Sequence, residues 1–430
     1  MRILYFSRDY TSHDHRFLQA LAKTEHKVYF LQLERRGHML EDRPLPAEIE
    51  QLSWLGGRTL ARLRDGPRLL FDLKRVIRQV KPDLIQAGPL QRAAFLAALT
   101  GFRPLLSMSW GYDLLVDANQ NAAWRWATRF TLKHSDAMVG DCQTIRQLAI
   151  AHGMLEERIV TFPWGIDLEH FAPPSPPPQE NTGFHSGIRS HLGEGENNDA
   201  PAPFVILSTR GWEPIYGVEL IARAFVTAAR QCPELKLIML GNGSLAPMLH
   251  RIFAKGNVEE QVMFPGQVKY SELPRFYQMA DLYVSASHSD GSSISLLEAM
   301  ACGRPVLVSD IPGNREWVTL YTPPSPDTFP HKGEGENDGN FDVLGCIAAQ
   351  HIKISASPLP STLEEGDVGW LFPDGDGDAL AQAILNAVEQ RRSLPEMGRR
   401  ARALAEQRAD WNKNFPNLFK AYEIALSRSN

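Results

Sequence analysis

From its first residues this chain alternates short apolar runs with amphipathic runs of helical spacing. Strand-like segments fall at Ile3 to Ser7, Lys27 to Leu31, Leu84 to Ala87, Leu105 to Ser109, Ala137 to Gly140 and Arg158 to Phe162. Between them lie Arg16 to Lys23, Leu69 to Val80, Ala122 to Lys133 and Gln143 to His152, with the spacing of helices. Strand and helix in strict alternation predict a parallel sheet covered on both faces. The pattern restarts at Phe204 with FVILSTR, a helix over Val218 to Arg230, and LKLIML. Two such sheets in succession predict an α/β chain of two Rossmann-like, doubly wound domains facing across a cleft, where open sheets bind ligands at the carboxyl ends of their strands.

The segment Asp281 to Glu316 carries the chemistry. It reads as a strand (Leu282 to Ser285), a polar loop holding Asp290, a helix from about Ser293 to Cys302, and a second buried strand (Pro305 to Val308). Asp290 and Glu298 stand eight positions apart, flanking a helix N-terminus whose unpaired N–H groups can receive an anion. Phosphates would take the backbone donors, and the carboxylates would accept hydrogen bonds from sugar and ribose hydroxyls.

The text LEAMACGRPV over Leu297 to Val306, with a carboxylate eight positions before Glu298, resembles the motif of the retaining glycosyltransferases of family 4, which have the GT-B scaffold. The first carboxylate is Asp290 where the family usually has Glu. The resemblance implies that Asp290, Glu298 and Arg210 are catalytic. Arg210, in ILSTRGWEPIYG, matches the family's diphosphate-binding Arg, but Tyr216 stands where a Lys is expected. A Tyr can orient a phosphate and neutralises nothing, so Arg210 would carry most of that charge. The resemblance further implies donor contacts from Gly241, Asn242 and Gly243 at a tight turn, from Gln267 and Val268 beside the base, and from Tyr216, Ser292, Ser293 and Ile294.

On the acceptor side it implies Trp110, Gly111, Asp113 and Asp14. Trp110 replaces a family His near the reacting carbon and carries no proton, so either the base is elsewhere or, as the same-face attack implied by the resemblance favours, the leaving phosphate oxygen takes the acceptor's proton. Helix N-capping is an equal role for Asp113. PWGIDLEHF over Pro163 to Phe171 resembles the interdomain hinge, where Asp167 sets a turn. His13 and His15 lack a third metal-ligating partner and read as solvated loop residues. The implied cofactor set is empty, with a nucleoside diphosphate sugar as substrate and no metal. The implied acceptor is a glycan, a lipid-linked acceptor or a small molecule. A non-catalytic sugar-nucleotide binder and a nucleotide-sugar 2-epimerase are the rival readings.

Composition and the restart of the strand–helix pattern mark the boundaries. By the resemblance, residues 1–172 form the acceptor-side domain, with a helix over about 411–430 packing back on it, and residues 204–410 form the nucleotide-sugar domain. Pro173 to Pro203 and Tyr321 to Leu363 are rich in Pro, Gly, Ser and Asn and read as disordered insertions. Inside the second, Ile347 to Ala356 is a candidate strand or helix. The DGDGD run at 374–378 lacks the Glu of a calcium loop and reads as a capping turn, with Asp378 as N-cap.

A 430-residue chain with 43% hydrophobic content can bury two cores. A net charge of -5 gives no global attraction to nucleic acid. Four dispersed cysteines without ligand spacing, no signal peptide and no membrane-spanning run predict a cytoplasmic protein, at most peripheral on the inner membrane face. Arg58 to Lys81 holds eight basic residues against two acidic ones. That run suits anionic headgroups or a phosphorylated acceptor, and equally a solvated helix with an apolar inner face.

Overall fold

The computed structural model describes residues 1–35, 41–174, 202–319 and 368–428. The bulk of both expected insertions, the segment Ile347 to Ala356 and Cys346 lie outside the described residues. Strands β1 (Arg2–Ser7), β2 (Lys27–Gln32), β3 (Glu50–Gln51), β4 (Leu84–Gly88), β5 (Leu105–Met108), β6 (Ala137–Gly140) and β7 (Ile159–Thr161) form one parallel sheet in the order β3-β2-β1-β4-β5-β6-β7. Strands β8 (Phe204–Ser208), β9 (Leu235–Leu240), β10 (Val262–Gly266), β11 (Leu282–Ser285), β12 (Val306–Ser309) and β13 (Gly369–Phe372) form a second, in the order β10-β9-β8-β11-β12-β13. The order in which strands are added reverses beside the first strand of each sheet, between β1 and β4 and between β8 and β11. Those are the switch points at which open α/β sheets leave a crevice.

Period-two alternation explains why these strands are apolar throughout. Phe204 and Ile206 enter one core of the second sheet, and Val205 and Leu207 the other. In the first sheet Leu84 faces one core, and Ile85 and Ala87 face the opposite one. Helices on both sides complete the burial, as the unbroken hydrophobic strands require.

The helix Gly66–Val80 buries Leu69, Leu73, Val76 and Val80 and turns Arg68, Phe71, Lys74, Arg75 and Arg78 outward. The inner face is apolar and the outer face basic, an arrangement common to both readings of this run. Among the described residues no helix is long and apolar enough to cross a membrane. Cys142, Cys232 and Cys302 are buried free thiols.

The expected elements differ from the structure in three places. The first helix starts at Ser12, not Arg16, because Thr11 and Asp14 form a capping box, so His13 and His15 are helical rather than solvated loop residues. The helix Gly377–Glu389 is capped by Asp376, whose carboxylate accepts from the Ala379 N–H, and not by Asp378. The C-terminal run divides into Trp411–Asn414 and Asn417–Ser427 at Pro416, which has no N–H to continue the ladder.

Trp411, Phe415, Leu418 and Tyr422 of that C-terminal run pack into a core of the first sheet. The chain returns through a tight crossing at Gly165. The Ile166 N–H donates to the Ala409 carbonyl at 2.8 Å, and the Trp411 N–H to the Ile166 carbonyl at 3.1 Å. Gly165 has φ +65°, and a Cβ there would lie 2.5 Å from the Ala409 oxygen. Gly165→Ala is therefore expected to lower the urea midpoint, costing roughly 1–3 kcal/mol or more from the left-handed backbone alone. An unchanged midpoint would remove this crossing as a constraint.

Candidate active site

The two sheets meet carboxyl end to carboxyl end, joined by carboxylates that cross between them. Asp141, just after β6, accepts from the Ser292 N–H at 2.7 Å, and the Ser292 hydroxyl donates to the Asp141 carbonyl. In return Glu316, on the helix Pro312–Val318, accepts from the N–H groups of Gln143 and Thr144 at 3.0 Å each and from the Thr144 hydroxyl at 2.8 Å. A carboxylate from the second half thus caps the helix Gln143–Ala151 of the first, where unpaired donors and the helix dipole favour negative charge. Glycines let the halves approach: a Cβ at Gly291 would lie 2.5 Å from Asp141 Oδ2, and one at Gly111, which has φ +83°, would meet the Gly291 nitrogen at 3.2 Å.

Two cavities of about 700 Å³ open along this seam. One is lined by Arg210, Gly241, Asn242, Gln267, Val268, Ile294, Ser295 and Glu298. The other is lined by Trp110, Asp113, Asp141, Tyr216, Asp290 and Ser292. Arg210, His13, Thr11 and Ile294 line both, so the two cavities adjoin at the arginine.

Arg210 follows β8 and is held from four sides. Its guanidinium lies 2.9 Å from Asp290 Oδ2, donates to the Ser293 and Ser295 hydroxyls at 3.1 Å each, and stacks on the Tyr216 ring at 4.2 Å. Tyr216 therefore positions the arginine on the side of the Trp110 cavity. Gly241 has φ +99°, and its bare Cα lets the end of β9 pass the Arg210 carbonyl, which a Cβ would approach to 3.1 Å. Gly243 backs onto the Trp212 carbonyl, 2.4 Å from where a Cβ would sit, and lies on neither cavity wall. Its part is in the turn rather than in donor contact.

Glu298 is buried and accepts from the Tyr277 hydroxyl at 2.9 Å. Burial pushes its carboxyl up to about 7, against the pull of Arg16, the Tyr277 hydrogen bond, Arg43 and Arg210. His13 packs between Trp110 and Trp164, ring centroids 5.2 and 5.0 Å away. Burial, with Arg16 and Arg210 nearby, lowers its imidazole to about 3, so it is neutral at pH 7.

Two acceptor-side expectations are revised. Asp14 has no exposed surface and lies on neither cavity wall: it accepts from the Thr11 N–H and hydroxyl and from the Tyr5 hydroxyl. Asp113 borders the Trp110 cavity, but its carboxylate accepts from the Leu90 N–H at 2.9 Å, the Ser109 hydroxyl at 2.6 Å and the Leu114 N–H at 3.0 Å. It is a clamp between loops, with its carboxyl pushed up to about 6 by burial. Asp167 accepts from the Glu169 and His170 N–H groups and holds the expected turn.

Sequence reasoning missed Asp141, Arg16, Ser295 and Lys269. The last three line the Glu298 cavity, and no local motif announces them. Among the described residues no group of three or more His, Cys, Asp or Glu is placed to hold a metal ion.

The profile described as "Glycosyltransferase Family 4" matches residues 12–170, and that described as "Glycosyl transferases group 1" matches residues 195–322. The chain belongs to the group 1, family 4 glycosyltransferases of GT-B fold. An alpha-monoglucosyldiacylglycerol synthase of Streptococcus pneumoniae is 26% identical over 189 residues, 44% of this chain and 40% of that protein. A GDP-mannose-dependent alpha-(1-6)-phosphatidylinositol monomannoside mannosyltransferase of Mycolicibacterium smegmatis is 25% identical over 263 residues, 59% of this chain and 65% of that protein. The chain thus spans less than two thirds of either relative's length. In fold, Anabaena HepE in complex with UDP and glucose superposes with a TM-score of 0.70 at 18% identity, covering 98% of this chain and 99% of that one.

The raised carboxyl of Glu298 makes stability depend on pH. Between its ordinary 4.5 and about 7 the native protein binds more protons than the unfolded chain, so this contribution is lost as pH rises through that window. Glu298→Gln keeps an acceptor for Tyr277 and removes the titration. Its melting temperature is expected to exceed that of the wild type at pH 8 and to converge with it below pH ~4.5. Equal melting temperatures at both pH values would contradict this.

Proposed function

We propose that this protein is a retaining glycosyltransferase that moves a sugar from a nucleoside diphosphate sugar to an acceptor hydroxyl in the Trp110 cavity. The observation that carries the reading is the convergence of Arg210 and Glu298 on one cavity, with Arg210 also on the wall of a second. The first has the size and mixed lining of a nucleotide-sugar site. Arg210 is the fixed cation for the leaving diphosphate, and its pre-set partners mean it need not reorganise as charge develops. Glu298 accepts from donor hydroxyls, with Gln267 and Val268 beside the base. The glucosyl and mannosyl transferases among its relatives, and HepE with bound UDP, support the class of donor.

In this reading the acceptor oxygen bonds to the anomeric carbon on the face that the phosphate oxygen leaves. The acceptor's hydroxyl proton passes to that departing oxygen. Trp110 takes no proton, and His13, neutral and flanked by aromatic rings, donates or accepts a hydrogen bond at the junction. Asp290, released from Arg210 when the diphosphate arrives, becomes an acceptor for donor-sugar hydroxyls. The charge is supplied by Arg210 and the N-terminus of the helix Ile294–Ala301, so the reaction is metal-independent.

The test is a labelled-donor assay with UDP-, GDP- and ADP-sugars, measuring hydrolysis and transfer. Wild type is expected to turn over one donor at a rate unchanged by EDTA. Arg210→Ala and Glu298→Ala should each lose roughly 10²-fold or more in kcat. Donor binding without turnover would mark a non-catalytic binder, interconversion of a free nucleotide sugar an epimerase, and inhibition by EDTA a metal requirement; each contradicts the proposal.

A further inference from the structure

The outer surface of the first half carries a basic face that takes no part in the site above. The helices Gly66–Val80, Phe95–Leu99 and Ala122–His134 share one layer over the first sheet: Leu73, Val76, Leu96 and Ala97 enter the same core, and Phe130 packs against it. The short middle helix touches both of the others, and Phe95 meets the Trp126 and Phe130 rings at 5.7 Å each. Their outward sides therefore form one face. The three helices hold a single acidic residue, Asp72, which is 6% exposed and accepts from the Leu55 N–H at 2.8 Å and from Arg75 at 2.6 Å.

An aromatic ring stands within each basic stripe of this face. Phe71 is 70% exposed, and the exposed Arg68, Lys74, Arg75 and Arg78 lie at i−3, i+3, i+4 and i+7 on its side of the helix. Trp126 is 57% exposed, with the exposed Arg129 and Lys133 at i+3 and i+7 and Arg125 beside it. Among the described residues no other Phe, Tyr or Trp is as exposed as these two. Of the seven cations, Arg75 alone lies within ion-pair distance of a described carboxylate. Solvation of the helices accounts for the cations but not for the rings, which lose by facing water. At a headgroup boundary each ring reaches apolar surroundings while the long basic side chains keep their charges among the phosphates. From Arg68 to Arg78 the stripe runs roughly 15 Å along the helix, and a second helix continues it sideways. Charge spread so widely over the outside of two helices matches a plane of anionic groups rather than one bound phosphate.

We propose that this face docks on a bilayer surface carrying anionic phospholipid, with Phe71 and Trp126 seated at the headgroup boundary and the flanking Lys and Arg side chains against the phosphates. The proposal goes beyond the transfer reaction and does not rest on it. The chain as a whole has a net charge of -5, so the attraction is local to this face and sets the orientation of docking. Trp124, two residues before Trp126, lines the Trp110 cavity. A chain docked in this way holds that cavity beside the lipid.

The experiment is sedimentation of the full chain with vesicles of phosphatidylcholine, alone and mixed with phosphatidylglycerol. The chain is expected to pellet with the mixed vesicles, to be released as salt is raised, and to stay in solution with phosphatidylcholine alone. Arg68→Gln, Lys74→Gln and Arg78→Gln combined should weaken binding about tenfold or more. Phe71→Ser with Trp126→Ser keeps every charge and should weaken it about tenfold as well. All five side chains are exposed, so both variants should melt near the wild-type temperature. Brominated lipid should quench tryptophan fluorescence in the wild type and distinctly less in Trp126→Phe. Equal binding to both kinds of vesicle, no binding to either, or wild-type binding by the charge or the aromatic variant would overturn the proposal. Tighter binding to a single-stranded oligonucleotide than to the mixed vesicles would mark a nucleic-acid surface instead. Release by inorganic phosphate at an ionic strength where sodium chloride releases nothing would mark a site for one phosphate, and either result also overturns it.

Discussion

The site depends on an exchange of carboxylates across the seam between the two sheets. Asp141 reaches from the first half to the backbone of the Asp290 loop, and Glu316 reaches from the second half to the first turn of the helix Gln143–Ala151. Each satisfies donors that the other half could not pair by itself. Such charge-assisted bonds are stronger than neutral ones and demand a definite geometry. They bring the loops after β1, β5 and β6 opposite those after β8 and β11. The residues given a role in chemistry sit on these loops, on those after β9 and β10, or on the helices that follow them.

That arrangement explains the division of labour at Arg210. On one side lies the Glu298 cavity, with the turn at Gly241 and the strand-end residues Gln267 and Val268. On the other lies the aromatic and acidic cavity around Trp110 and Asp141. The arginine is fixed by Asp290, two serines and the Tyr216 ring, so the expected Lys is replaced by a packing partner rather than by a second charge. A guanidinium already oriented stabilises developing charge better than a mobile one.

Much of this was legible in the sequence because it is local. Strand positions, the order of the loops and the spacing of Asp290 and Glu298 follow from periodicity and from a motif within one short segment. Asp14 was legible too: Thr11 and Asp14 have capping-box spacing, and that signal competes with the acceptor role assigned to it. Asp141 was not legible, since its partner Ser292 lies 151 positions away and nothing near Asp141 distinguishes it from any loop aspartate. The same holds for Glu316, which reads as one more polar position on a short helix until Thr144 is brought to it across 172 residues. Pairings of that kind are set by how the two sheets face each other, which periodicity does not encode.

The central claim is that Arg210 and Glu298 act on one bound molecule in the cleft between the sheets. A crystal structure with a non-hydrolysable nucleotide sugar tests it most directly. The account predicts the diphosphate against the Arg210 guanidinium, the nucleoside between Glu298 and Val268, and the sugar turned toward Asp290 and Trp110. A nucleotide bound elsewhere, or one that touches only one of Arg210 and Glu298, would contradict it.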